Sequence, residues 1–156
     1  MRNGKIQVRL GTLMLLIVPI SIAVFFVNRH YELGRRPIKW KPYSDLGLAE
    51  ELESGNTVIV FLRGDFMATD SNNHDIFESS EFRREFHTNS YAALESTMNT
   101  ENGMHPLLEK HRFTNLMIFK PGVAEPLAVP AGVIYTTEAL LREIREYVKG
   151  DNKKSD

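Results

Sequence analysis

The sequence predicts an α/β domain, a sheet with helices laid against it, preceded by one apolar segment near the amino terminus. Three observations predict it. Short apolar, β-branched runs, Thr57–Leu62 above all, alternate with stretches of helical period. Two runs, Asn115–Lys120 and Glu125–Val129, flank a Pro121-Gly122 turn and so pair as a hairpin. Near the carboxy terminus Leu140, Leu141, Ile144, Tyr147 and Val148 fall at i, i+1, i+4, i+7 and i+8, one apolar stripe suited to a sheet surface.

Residues 1–9 form a tail, and Leu10 to Val27 follows as 18 residues without a charge. As a helix at about 1.5 Å per residue the run spans roughly 27 Å, close to a bilayer's hydrocarbon thickness. Pro19 would kink it, which membrane helices tolerate. The expectation is a retained transmembrane anchor over 10–27, making the membrane one partner of the chain. A cleaved signal peptide is the rival reading, since Ser21-Ile22-Ala23 has small residues at cleavage-like spacing. Against it, Val24-Phe25-Phe26-Val27 continues the apolar run past Ala23. Residues 28–43 are basic, broken by Gly34 and Pro37, and read as a juxtamembrane linker: a contact with anionic lipid headgroups if it faces the cytoplasm, or a solvated spacer.

Further along, Ser44 or Asp45 caps a helix with Leu46, Ala49 and Leu52 on one side, ended by Gly55. Thr57–Leu62 has the composition of a central strand covered on both faces. Gly64–Asn73 reads as a polar loop. Ile76–Phe86 reads as a helix that turns Phe77, Phe82 and Phe86 to one side, with Ser79 or Ser80 as a cap inside it. Tyr91–Met98 reads as a strand and Pro106–His111 as a short helix. Pro126 and Pro130 put the hairpin's second strand at a sheet edge. Thr136 or Thr137 caps the last helix, where Glu138 and Arg142, then Arg142 and Glu146, lie four apart on the outside. Gly150 ends it, leaving 151–156 as a polar tail.

Charge is divided unevenly. Residues 1–41 hold eight Lys and Arg against the single acid Glu32, so 42–156 carry a net of about −8. An acidic globule argues against nucleic acid as a partner, because phosphate binding relies on Lys and Arg. Arg2, Lys5 and Arg9 precede the apolar run, and Arg29, Arg35, Arg36, Lys39 and Lys41 follow it, a bias toward a cytoplasmic globule.

The predicted order is helix, strand, helix, strand, helix, strand, strand, helix. Together with Gly64-Asp65-Phe66, the Phe77-to-Phe86 stretch, the Leu116-to-Gly122 hairpin and Gly132 before the last helix, it resembles a thioredoxin-like domain over about residues 44–149. The nearest resemblance is to the carboxy-terminal domain of bacterial transmembrane thiol:disulfide interchange proteins. It implies a mixed β-sheet flanked by helices, a domain over 44–150, and a functional loop at Phe66-Met67-Ala68-Thr69-Asp70, where the family carries Trp-Cys-x-x-Cys. This chain has no cysteine. A thiolate is the nucleophile of disulfide exchange, so the family's reaction is closed to it. The family's cis-proline position falls at Thr114, where trans is expected because a non-proline cis bond costs about 2.5–4 kcal/mol. Likeness to exported domains favours an extracytoplasmic globule, opposite to the charge bias.

Phe66, Met67, Ala68, Thr69, Asp70 and Thr114 are therefore the candidate binding surface, expected to dock a protein without reacting on it. Inward packing of Phe66 and Met67 is the plain alternative. Asp65 stands where related enzymes assist thiol proton transfer, a task without a substrate here. If Asp70 opens a helix, His74 and Glu78 share its face, and with Asp65 and Asp75 nearby they offer metal-ligating types. Acids at the positive end of a helix explain them as well, and no metal or other cofactor is expected. His105 and His111 read as exposed polar residues. Ser71, Ser79, Ser80, Ser90 and Ser96 lack a nucleophile elbow, and Gly64 and Gly122 belong to no phosphate-cradling loop. These readings give a membrane-anchored, redox-inactive thioredoxin-like module for binding or scaffolding, not an enzyme. The alternatives are an enzyme with an unrecognised or metal-assisted site near the motif loop, or a structural subunit of a membrane assembly.

Overall fold

Thr57 to Leu62 does become the middle of the molecule. In the computed structural model β2 (Val58–Arg63) is the central strand of five, in the order β1-β3-β2-β6-β7. The others are β1 (Lys41–Pro42), β3 (Ala92–Thr97), β6 (Thr114–Phe119) and β7 (Leu127–Pro130). β3 runs parallel to β1 and β2, while the β2–β6 and β6–β7 pairs are antiparallel. The sheet is therefore mixed, with the proline-bearing β7 at its edge as expected. A separate two-stranded ladder of β4 (Asn99–Thr100) and β5 (Gly103–Met104) has no counterpart in the sequence reading. The structure describes residues 10–64, 68–97, 99–100, 103–104, 107, 110–111, 114–130 and 135–150.

The pleat sends alternate side chains of β2 to opposite faces. Ile59 and Phe61 enter one core with Leu116 and Ile118 of β6. Covering that face are α3 (Ala68–Glu78), α4 (Ser80–Thr88) and α5 (Thr137–Lys149), through Ile76, Phe77, Phe82, Phe86, Leu140 and Ile144. Phe77 meets Trp40, Phe82 and Phe61 at ring-centroid distances of 5.0, 5.1 and 5.2 Å, the range in which aromatic pairs add to burial. Val58, Val60 and Leu62 enter the second core with Leu94 and Met117. Its cover comes from Leu48 and Leu52 of α2 (Asp45–Glu53), from Tyr43 before it, and from Leu107.

Local chemistry sets the helix ends. Ser44, Ser79 and Thr136 each accept a hydrogen bond from the backbone N–H three residues on, at 3.0, 3.2 and 3.2 Å. Gly55, at φ 83°, supplies the left-handed residue that stops α2.

Three expectations need correcting. The loop read over Gly64–Asn73 is helical from Ala68 onward, and one helix over Ile76–Phe86 is instead two, parted at Ser79. Asn73, Ile76 and Phe77 are buried, so tertiary packing holds a Ser/Asn/Asp-rich turn that propensity alone disfavours. In α2 the inward pair is Leu48 and Leu52, while Leu46 is 69% exposed and Ala49 faces solvent. A 100° step per residue lets that helix turn a Leu48–Leu52 stripe inward as readily as the expected one. Finally, the segment read as a basic linker over 28–43 is built into the fold. Its residues form the last turns of α1 (Leu10–Arg35), an Ile38–Trp40 contact with the first core, and strand β1.

Among the described residues no helix is long and apolar enough to cross a membrane. The side chains described in α1 begin at Ile17, so the expected anchor over 10–27 is described only in its last eleven side chains. Of the helix expected over Pro106–His111, residues 107, 110 and 111 are described; His111 N–H donates to the Leu107 carbonyl at 2.8 Å, a helical bond. His105, Gly132 and the tails 1–9 and 151–156 lie outside the described residues.

Candidate functional site

The site expected from the sequence lies where β2 gives way to α3. Arg63, the last residue of β2, pairs in register with Thr97 of β3. On the other side Val60 faces Met117 and Phe61 faces Leu116 of β6. β6 runs antiparallel to β2, so Thr114, its first residue, lies at the end of the sheet where β2 finishes and the motif loop begins. Thr114 is 4% exposed and stands opposite Pro130 of β7, next to an irregularity in the ladder.

Ala68, Thr69 and Asp70 form the first turn of α3. That turn and Thr114 belong to the same end of the sheet, but Thr114 is buried in the ladder and is not part of an open binding surface as expected. Asp65, Phe66 and Met67 lie outside the described residues, as do the side chains of Ala68, Thr69 and Asp70. Among the described residues no peptide bond is cis; the bond preceding Thr114 involves residue 113, which lies outside them.

Among the described residues the potential metal ligands do not gather. His74, Asp75 and Glu78 are exposed on α3, and the Glu78 carboxylate is ion-paired with Arg83 of α4. Among the described residues no three His, Asp or Glu side chains are placed to hold a metal ion. His111 is half-buried, not exposed as expected. At the same sheet end as the motif loop, Arg63 and Glu95 form an ion pair at 2.5 Å beside a depression of about 330 Å³.

A second arrangement was not foreseen. α1 crosses α4 at Gly34, where an added Cβ would come within 3.0 Å of the Ser80 carbonyl oxygen. Arg84 Nε donates to the His30 carbonyl at 3.3 Å, and His87 Nε2 lies 3.0 Å from the Arg36 carbonyl. Beside this crossing a cleft of about 650 Å³ opens between α1, α4 and α5, lined by His30, Arg84, Glu85 and Arg145 among others. Its wall is held by Arg145, which donates to Glu85 at 2.6 Å; that bond holds the guanidinium's pKa up. Burial, reinforced by the Glu85 charge, pushes the neighbouring Tyr91 hydroxyl up to about 12. One signal could have revealed the crossing: Gly34 reads as a break, yet a glycine within helical sequence also marks close backbone approach.

A β1-β3-β2-β6-β7 mixed sheet, with α2 on one face, α3, α4 and α5 on the other, and a helix following the central strand, defines a thioredoxin-like fold. The chain is similar to a thioredoxin from Thermus thermophilus, known from a solution structure, with a TM-score of 0.58 and 15% identity over 78% of this chain and 98% of that one. Likeness at that identity shows the fold and carries no activity. No family model matches the chain, and no curated protein matches it.

Proposed function

We propose that this chain is a membrane-anchored, redox-inactive thioredoxin-like domain that binds a protein partner at the loop after β2. One observation carries the reading: a thioredoxin-like fold in a chain without cysteine. Disulfide exchange proceeds through thiolate attack and a mixed disulfide, so what this domain retains is a shape for docking. The antiparallel β2–β6 pairing supports the location, because it brings the start of β6 to the end of β2 from which the motif loop leaves. The closer kinship with thiol:disulfide interchange domains rests on Gly64-Asp65-Phe66 and belongs to the same reading.

The anchor is supported by the uncharged run Leu10–Val27 and by the large apolar side chains from Ile17 to Val27, which are 47–68% exposed on α1. Exposure on that scale is costly in water and neutral in lipid. On the family likeness the globule is extracytoplasmic, and a reporter fused after Asp156, active on one side only, tests that placement.

A photo-crosslinking residue at Met67 tests the docking surface. It should yield a discrete adduct in cells that the same probe at the exposed Glu53 does not. Insulin reduction by the purified chain should stay at the buffer rate. Turnover above that rate, or an adduct pattern identical at both positions, overturns the proposal.

A further inference from the structure

The basic segment after the apolar run is folded onto the domain, and this changes what it can do. Arg29 lies two residues beyond Val27, roughly 3 Å along a helix, and Arg35 and Arg36 lie roughly 12–14 Å along it. The headgroup layer adds roughly 5–8 Å to each side of the hydrocarbon, and charges remain coupled over about 8 Å at physiological salt. With α1 upright, Arg29 is level with the phosphates, and Arg35 and Arg36 stand within a screening length of the surface. All three are exposed, as is Lys39. Tyr31, 55% exposed, sits at the depth where aromatic rings settle, with the Arg35 guanidinium 4.4 Å from its ring centroid.

The opposing charges are few. Glu32 is the acid in these turns of α1, and Lys41, already held by Glu51 at 2.5 Å, is not counted. Residues 42–156 carry a net of about −8, which an anionic surface repels, so charge complementarity rests with the segment next to α1. The Gly34–Ser80 crossing and the hydrogen bond from Arg84 to the His30 carbonyl fix that segment to α4.

Resting on the membrane reading above, we infer that Arg29, Arg35, Arg36 and Lys39 form a folded basic collar that binds anionic phospholipid headgroups. Because α1 is locked to α4, the collar also holds the globule in one orientation against the bilayer. A flexible linker with the same charges would do the first and not the second.

The absence of cysteine makes the test clean. Ser90→Cys, at the depression shared by Arg36, Lys39 and His87, gives a single dye site. The full chain is placed in phosphatidylcholine nanodiscs doped with an acyl-labelled lipid, either phosphatidylglycerol or phosphatidylcholine. Energy transfer should be higher to phosphatidylglycerol, reporting several-fold local enrichment that falls stepwise as the arginines near the surface are removed. It should collapse in 1 M salt and in an Arg29→Gln, Arg35→Gln, Arg36→Gln variant. Gly34→Val, which forces α1 off Ser80, should leave membrane retention intact and broaden the spread of transfer distances. A chain that an alkaline wash strips from membranes overturns the anchor, and the collar with it. A retained chain with equal transfer to both lipids overturns the collar alone, and an unchanged distance spread in Gly34→Val overturns the fixed orientation.

Discussion

The two faces of the sheet are covered unequally. Among the described residues, one face gathers fourteen buried side chains beneath α3, α4 and α5; the other gathers five. α2, which packs on the second core together with Leu107, contributes no fully buried residue. Strand β2 serves both faces at once, with Ile59 and Phe61 on the thick side and Val58, Val60 and Leu62 on the thin one. Apolar burial contributes roughly 25 cal/mol per Å², so among the described residues the larger share of it lies on the face that also carries the α1 crossing and the helix leading out of the motif loop.

The strongest way to break this comparison is Phe82→Ala. Phe82 is 1% exposed and touches Phe77 in the aromatic run, so its loss should cost about 3–5 kcal/mol in a denaturant titration. A value near 1 kcal/mol would mean that the thick face does not dominate.

Alkali should also act on the thick face. The Tyr91 pKa is raised by burial to about 12, so the folded state holds its proton more tightly than the unfolded one. The resulting stability is fully present below about pH 10 and is lost as pH rises from there to about 12, a change of order 2 kcal/mol. Comparing Tyr91→Phe with the parent across that range should show a flatter slope in the variant. Parallel slopes would remove Tyr91 as the cause.

Leu52→Ala probes the thin face. Leu52 is only partly buried against the second core, so about 1 kcal/mol is expected. A cost matching that of Phe82→Ala would erase the distinction between the faces.

The smallest effect is expected from acid. Glu51 accepts from Lys41 at 2.5 Å and from Asn56 at 2.7 Å, and these bonds, the Lys41 one first, hold its carboxyl below the usual range. Its contribution is present above the ordinary carboxylate pKa and disappears as pH falls through the lowered one. Glu51→Gln should therefore blunt the acid-side loss of stability slightly, read as a smaller shift in thermal midpoint between pH 5 and pH 3.

Much of this architecture is legible without coordinates, and the legible parts share a cause. Val58 to Leu62 is apolar at every position, a pattern that only a strand covered on both sides satisfies. Ser44, Ser79 and Thr136 cap helices through hydrogen bonds that close within three residues. Pro130 at the edge and Gly55 at a helix stop follow from backbone limits of single residues. The family likeness points to the end of the sheet where β2 finishes, and the antiparallel β2–β6 pairing puts Thr114, buried, at that same end.

What the sequence determined by itself is therefore whatever short range decides: the central strand, the caps, the edge, and the loss of thiol chemistry that follows from having no cysteine. Tertiary structure alone decided which side of α2 turns inward, that residues 68–73 are helical, and that the basic stretch after Val27 docks on α4 and becomes strand β1. Each of those outcomes depends on a partner distant in the chain. A 100° turn of a helix, or a glycine that opens to a serine some forty-six residues away, costs little locally and is chosen only when the opposing surface is present.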